Sequence, residues 1–124
     1  MRTFELPALS SAHSHAFQRK LRGEAQRPGP DSSDDFWSWR TAMYRLADSL
    51  TPESIRALSL VAYRELYRAG VRTVGEFHYV HHQAGGAPYE ERTLLAEAVI
   101  SAAREAGLRI ALLRVVYARA GAGR

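Results

Sequence analysis

The stretch TPESIRALSLVAYRELYRAGVRTVGEF, Thr51 to Phe77, passes from one periodicity to another without a break. Ile55, Leu58, Ala62, Leu66 and Ala69 fall three or four residues apart, which predicts a helix with one buried stripe. Thr51 is a preferred N-cap, Pro52 fits the first turn, where its missing N–H is no loss, and Gly70 fits the exit. Val71 to Phe77 follows at once, alternating and rich in β-branched residues, and reads as a strand. A helix that runs straight into a strand is half of a βαβ unit.

Working outward, the alternation recurs. HYVHHQAGGAP reads as a loop, PYEERTLLAEAVISAAREAG as a helix begun by Pro88 and ended by Gly107, and LRIALLRVVY as another strand. The Leu, Ile and Val content of that strand suits one covered on both faces. Toward the N-terminus, DDFWSWRTAMYRLADS reads as a helix capped by Asp34 or Asp35, with Phe36, Trp39, Met43 and Leu46 on one apolar face. GEAQRPGPDSSDD, Gly23 to Asp35, is the longest loop signal, and TFELPALSSA predicts a short strand ending at a histidine pair. The order strand, helices, strand, helix, strand predicts an α/β fold with a parallel sheet. The tail ARAGAGR, residues 118–124, has too little apolar content to pack and is expected to be flexible.

The 124 residues suffice for one ordinary domain, and 46% apolar content suits a globular core. The net charge of +4 is carried by arginines scattered along the chain, with Lys20 the single lysine. Scattered charge reads as a solvated surface and argues against nucleic acid as a partner. There is no cysteine, so any metal must be held by His, Asp or Glu. Met1 to Pro7 carries no apolar signal core and no apolar run approaches membrane-spanning length, so a soluble cytoplasmic protein with no membrane contact is the default.

Two of the five histidines, His13 and His15, stand in AHSHAFQRK. On an extended chain residues two apart share a face, so both imidazoles can address one Zn2+ at about 2.0–2.1 Å. Their place at the C-terminal end of a first strand is where parallel α/β folds put their sites. The plain alternative is two polar residues in a turn, and two histidines fall short of a catalytic zinc site, which needs about three protein ligands. His78 ends the second strand and can reach the same end of the sheet, or simply bond backbone through its ring. His81 and His82 lie in a Gly-rich loop and are expected to be solvated. Arg40, after Trp37 and Trp39, can clamp a carboxylate or stack on an aromatic ring. Glu76 can be a buried partner for an arginine or a site residue, and Tyr79 can donate a hydrogen bond or cap the strand.

Together AHSHAFQR, DDFWSWRTAMYRLA, LTPE, GVRTVGEFHYVHH and GLRIALLRVVYARAG resemble the formimidoylglutamate deiminase family of the amidohydrolase superfamily, in order and over nearly the whole chain. His-x-His is common to the superfamily; HAFQR, FWSWR and EFHYVHH in series are more specific and speak against another deaminase of that superfamily. The resemblance implies a zinc-dependent, TIM-like (β/α)8 barrel. It implies that His13 and His15 are metal ligands and that Gln18, Arg40 and Tyr79 hold the substrate, N-formimino-L-glutamate, with Arg40 at its carboxylate end. The implied reaction is hydrolysis to N-formyl-L-glutamate and ammonia in histidine degradation. A full barrel takes about 250 residues. This chain is therefore expected to be an N-terminal part of one, with about three strands, inactive alone, its catalytic groups on later strands, and open to self-association or a complementing chain. The alternative is a non-enzymatic partial α/β domain. Two departures are Arg114, where proline is expected and a perturbed third strand would follow, and Ala8 in place of glycine, which only loosens a turn.

Overall fold

The computed structural model describes residues 3–24 and 36–117. The expected flexible tail at 118–124 and the caps Asp34 and Asp35 lie outside them. The elements are β1 (Leu9–Ser14), a 3-10 turn (Ala16–Leu21), α1 (Phe36–Asp48), α2 (Pro52–Arg68), β2 (Val71–His78), a short turn (Ala84–Gly86), α3 (Leu94–Glu105) and β3 (Arg109–Arg114). The strands form one parallel sheet in the order β1-β2-β3, each strand beside its sequence neighbour. This is the arrangement expected of the first strands of a barrel. Among the described residues no helix is long and apolar enough to cross a membrane.

The helix-to-strand passage forms as its sequence dictates. Thr51 Oγ1 accepts the Ser54 backbone N–H at 3.2 Å while Ser54 Oγ accepts the Thr51 N–H at 2.8 Å, so α2 opens on a reciprocal cap. At the other end Gly70 takes φ 90°, a left-handed exit that a side chain rarely adopts. The buried line of α2 is Ile55, Ser59 and Tyr63, with Leu58, Ala62 and Leu66 flanking it. Ala69, expected within the stripe, is exposed and lies beyond the helix as its C-cap.

Val74 of β2 packs with Leu95, Val99, Ala102 and Ala103 of α3 and with Ile55 and Tyr63 of α2 in the single core cluster. Glu76 and His78 alternate with Phe77, so they share Val74's helix-covered face while Phe77 lies on the opposite, open face. Two arginines of α2, Arg56 and Arg64, close on Glu105 of α3 at the rim of this core.

Several further expectations fail for physical reasons. α3 begins at Leu94, not Pro88: Pro88 is bridged to His82, and Gln83 N–H donates to Ala87 O at 2.7 Å, which holds this segment in a hairpin-like turn. β3 is not covered on both faces; it is a sheet edge in which Ile110 and Leu112 are half-buried and Leu113 is 50% exposed. Of the four apolar residues expected to line α1, Met43 is buried and Leu46 half-buried, whereas Phe36 and Trp39 are exposed and lean on each other, ring centroids 5.8 Å apart. Arg114 does not perturb β3: it pairs with His78 in register, and its guanidinium donates to Arg92 O at 2.9 Å.

Candidate metal and substrate site at the strand ends

His13 lies in β1 and His15 just beyond it. Their Nε2 atoms face each other at 3.0 Å. Two ligands of one tetrahedral Zn2+ stand roughly 3.3 Å apart, from metal–nitrogen bonds of about 2.0–2.1 Å. The pair therefore fits one metal with an adjustment of a few tenths of an ångström. His15 Nδ1 lies 2.9 Å from Phe77 O. A carbonyl only accepts, so the proton sits on Nδ1 and the Nε2 lone pair is left for a metal. Among the described residues no group of three or more His, Asp or Glu that could hold a metal is brought together.

The convergence does not come from a regular strand. Ser11 pairs with Val74 and Ser14 with Glu76, so three steps along β1 match two along β2. The extra residue makes a bulge at Ala12 and His13. Gly75 permits it: a Cβ there would stand 2.7 Å from the Ala12 carbonyl oxygen.

Each residue of HAFQR then has its own anchor. Ala16 N–H donates to Glu76 Oε1 at 2.8 Å, and Phe17 is buried in the core. The Gln18 side-chain amide donates to the Tyr79 hydroxyl at 2.8 Å. Arg19 forks onto the Glu65 carboxylate of α2 at 2.7 and 2.9 Å. That pair holds Glu65 below the usual carboxylate range. Gln18 and Tyr79 thus stand together beside the histidines, with the Tyr79 ring 5.2 Å from the His15 ring. Burial raises the Tyr79 pKa, so its phenol stays a protonated donor at neutral pH.

Tyr79 O–H also donates to Met43 Sδ of α1 at 3.3 Å. This docks α1 at the rim of the site, and Arg40 lies one turn before Met43 on that helix. Arg40 stacks on Tyr44, 5.2 Å from its ring centroid, and donates to its hydroxyl at 3.1 Å. Arg40 is thus held against Tyr44 on α1.

His78 and Glu76 face the helices instead of the open face, and both are buried. Burial, then the charges of His81 and Arg114, lower the His78 pKa to about 4. His81 is half-buried, contrary to expectation, because its Nε2 meets Val115 O at 2.7 Å; His82 is exposed. Met43, Gly75 and the carbonyl of Phe77 were not readable as site residues. Only Gly75, a lone glycine inside a strand pattern, carries a recognisable signal of close backbone approach.

The profile of the amidohydrolase family matches residues 4–124. The chain belongs to the amidohydrolase family. A formimidoylglutamate deiminase of Pseudomonas aeruginosa is 42% identical over 118 residues, which cover 95% of this chain and 26% of that protein. The crystal structure of an amidohydrolase from Brucella melitensis superposes with a TM-score of 0.85 at 43% identity, covering 94% of this chain and 26% of that one. This amidohydrolase chain therefore spans about a quarter of the length of the relatives it matches. Its three-stranded parallel sheet corresponds to part of a TIM-like barrel.

Proposed function

We propose that this chain supplies the first metal ligands and part of the substrate pocket of a zinc-dependent formimidoylglutamate deiminase. The reaction is hydrolysis of N-formimino-L-glutamate to N-formyl-L-glutamate and ammonia, in cytoplasmic histidine degradation. One observation carries the reading: a His-x-His pair with Nε2 atoms 3.0 Å apart, its tautomer set by Phe77 O, at the C-terminal end of a parallel strand. It occurs in a chain 42% identical to a formimidoylglutamate deiminase.

His13 and His15 hold the metal through Nε2. Held there, a zinc ion would supply a bound water acidified toward neutral pH as the hydrolytic nucleophile. Phe77 O keeps the His15 ring oriented and its Nε2 unprotonated. Gln18 and Tyr79 offer an amide and a phenol already joined at 2.8 Å, a preset polar edge for the formimino-glutamyl chain. Arg40 turns from Tyr44 to take a substrate carboxylate through its planar fork. The resemblance puts the remaining ligands and the acid and base groups on later strands.

The test is ammonia release from N-formimino-L-glutamate by the 124-residue chain, alone and mixed with the part of the Pseudomonas relative that follows the matched region. The chain alone is expected to release none. The mixture is expected to release ammonia, and His13→Ala to abolish it. Turnover by the pure chain would overturn the shared-site reading. A mixture that hydrolyses another amidine or amide but not N-formimino-L-glutamate would overturn the substrate.

A further inference from the structure

Among the described residues Glu76 is the one buried carboxylate, 2% exposed, and no arginine or lysine forms a salt bridge with it. Burying an unpaired carboxylate is costly, and an apolar side chain of similar volume would pack there at less cost. Its Oε2 makes no hydrogen bond, and neither do the nearby Ser59 Oγ, Tyr63 hydroxyl and His78 Nε2 on the same covered layer. The carboxylate's Oε1 accepts the backbone N–H of Ala16 at 2.8 Å, and burial, with the carboxylate's charge added, raises the pKa of the neighbouring Tyr63 phenol.

Ala16 is the residue after His15. The backbone ladder between β1 and β2 ends at Ser14 and Glu76. Beyond it, two bonds take over: Phe77 O accepts from the His15 ring and Glu76 Oε1 accepts from Ala16 N–H. Two adjacent residues of β2 thus grip two adjacent residues at the end of β1. The grip falls just past the bulge, where the strand has no regular pairing to fix its direction.

We infer that Glu76 is a positioning residue, whose carboxylate anchors the chain at Ala16 so that the His15 ring points at His13. It acts through Ala16 and His15 and does not touch a metal. The inference rests on the metal reading of the pair given above.

The experiment compares the wild-type chain with Glu76→Met and Glu76→Gln. Methionine keeps the volume and lacks the acceptor; glutamine keeps the acceptor and drops the charge. Circular dichroism confirms folding, hydrogen exchange reads the Ala16 amide, imidazole 15N shifts read the His15 tautomer, and Co2+ titration reads the pair. In Glu76→Met, Ala16 exchange is expected to accelerate at least tenfold, the His15 tautomer to lose its Nδ1–H preference, and Co2+ to bind about tenfold more weakly, the usual range for an outer partner of a metal ligand. Glu76→Gln is expected to restore all three to near wild type. Should Glu76→Met not fold, the glutamine variant decides: wild-type exchange and tautomer support the anchor, and their loss overturns it. A folded Glu76→Met with wild-type exchange and tautomer also overturns it. So does a variant with rapid Ala16 exchange but unchanged His15 tautomer and Co2+ affinity. Failure of the wild-type chain to bind Co2+ would sink the metal reading instead, and the two metal-free readouts still decide the anchor.

Discussion

His78 shows how burial at a single residue becomes a property of the chain. Folded, its ring is held to a pKa of about 4 by burial and by the neighbouring charges of His81 and Arg114; Glu76, on the same covered face two residues away, supplies no hydrogen bond to it. Unfolded, its pKa is about 6.5. Below pH 6.5 the unfolded chain binds a proton that the native chain refuses, so stability is full above that pH and is lost as pH falls toward 4. Between pH 6.5 and 5 the loss is about 2 kcal/mol, and His78→Leu should flatten it. Urea midpoints at pH 7, 6 and 5 measure both, in a window where exposed carboxylates such as Glu65 and Glu91, held below their usual range, remain ionised. A wild-type slope unchanged in the leucine variant would remove His78 as the cause. At this scale the sequence was a partial guide. The spacing of two predicts that His13 and His15 face one another on a regular extended strand, whereas the structure reaches that facing through a bulge at Ala12 and His13. The placement of Glu76 was not legible, since a glutamate in a strand is equally able to meet an arginine, a substrate or, as here, a backbone N–H.

At the scale of elements, the junction of β1 and β2 carries the site. The bulge aims His13, and Gly75 makes room for it, because its missing Cβ would otherwise sit 2.7 Å from Ala12 O. Backbone cannot yield as a flexible side chain does, so Gly75→Ala should push β1 outward, destabilise the fold by about 1–3 kcal/mol and separate the imidazoles. Loss of contacts between the His13 and His15 rings in nuclear Overhauser spectra, together with a lower urea midpoint, is the expected signature. Retention of both in Gly75→Ala would show that the bulge has slack. The αβ passage from Thr51 to His78 was legible because every signal agrees there: cap, proline, stripe, glycine, alternation. The start of α3 was not, because Pro88 is as suited to a turn as to a first helical position, and the pairing of His82 with Pro88 is decided by the hairpin that encloses it. The cover on β3 was misread for a different reason. Its Leu, Ile and Val content describes the strand's preference, while its exposure depends on having a neighbour on only one side.

At the scale of the whole molecule, that one-sidedness is the dominant physical fact. Among the described residues β1 and β3 are the two outer strands of a parallel sheet, each paired on one side. Leu113 on the open face is half exposed, and beside it Val116 and Tyr117 are 76% and 60% exposed; near the start of β1, Phe4, Leu6 and Leu9 are exposed as well. Apolar residues beside free strand edges favour association with another polypeptide. The same edges are where a barrel's further strands would dock, which joins this surface to the shared metal site proposed above. The chain by itself should therefore self-associate, and the part of the Pseudomonas relative that follows the matched region should replace that self-association with a one-to-one complex. Sedimentation velocity over a concentration series reads the first, and titration with the complementing part reads the second. Leu113→Lys places a charge on the open face next to the β3 edge and should shift the chain toward monomer while leaving the core around Val74 and Val99 intact. A wild-type chain that stays monomeric at all concentrations would mean that these edges are protected, and a complementing part that leaves the self-associated species unchanged would separate the exposed edge from barrel completion.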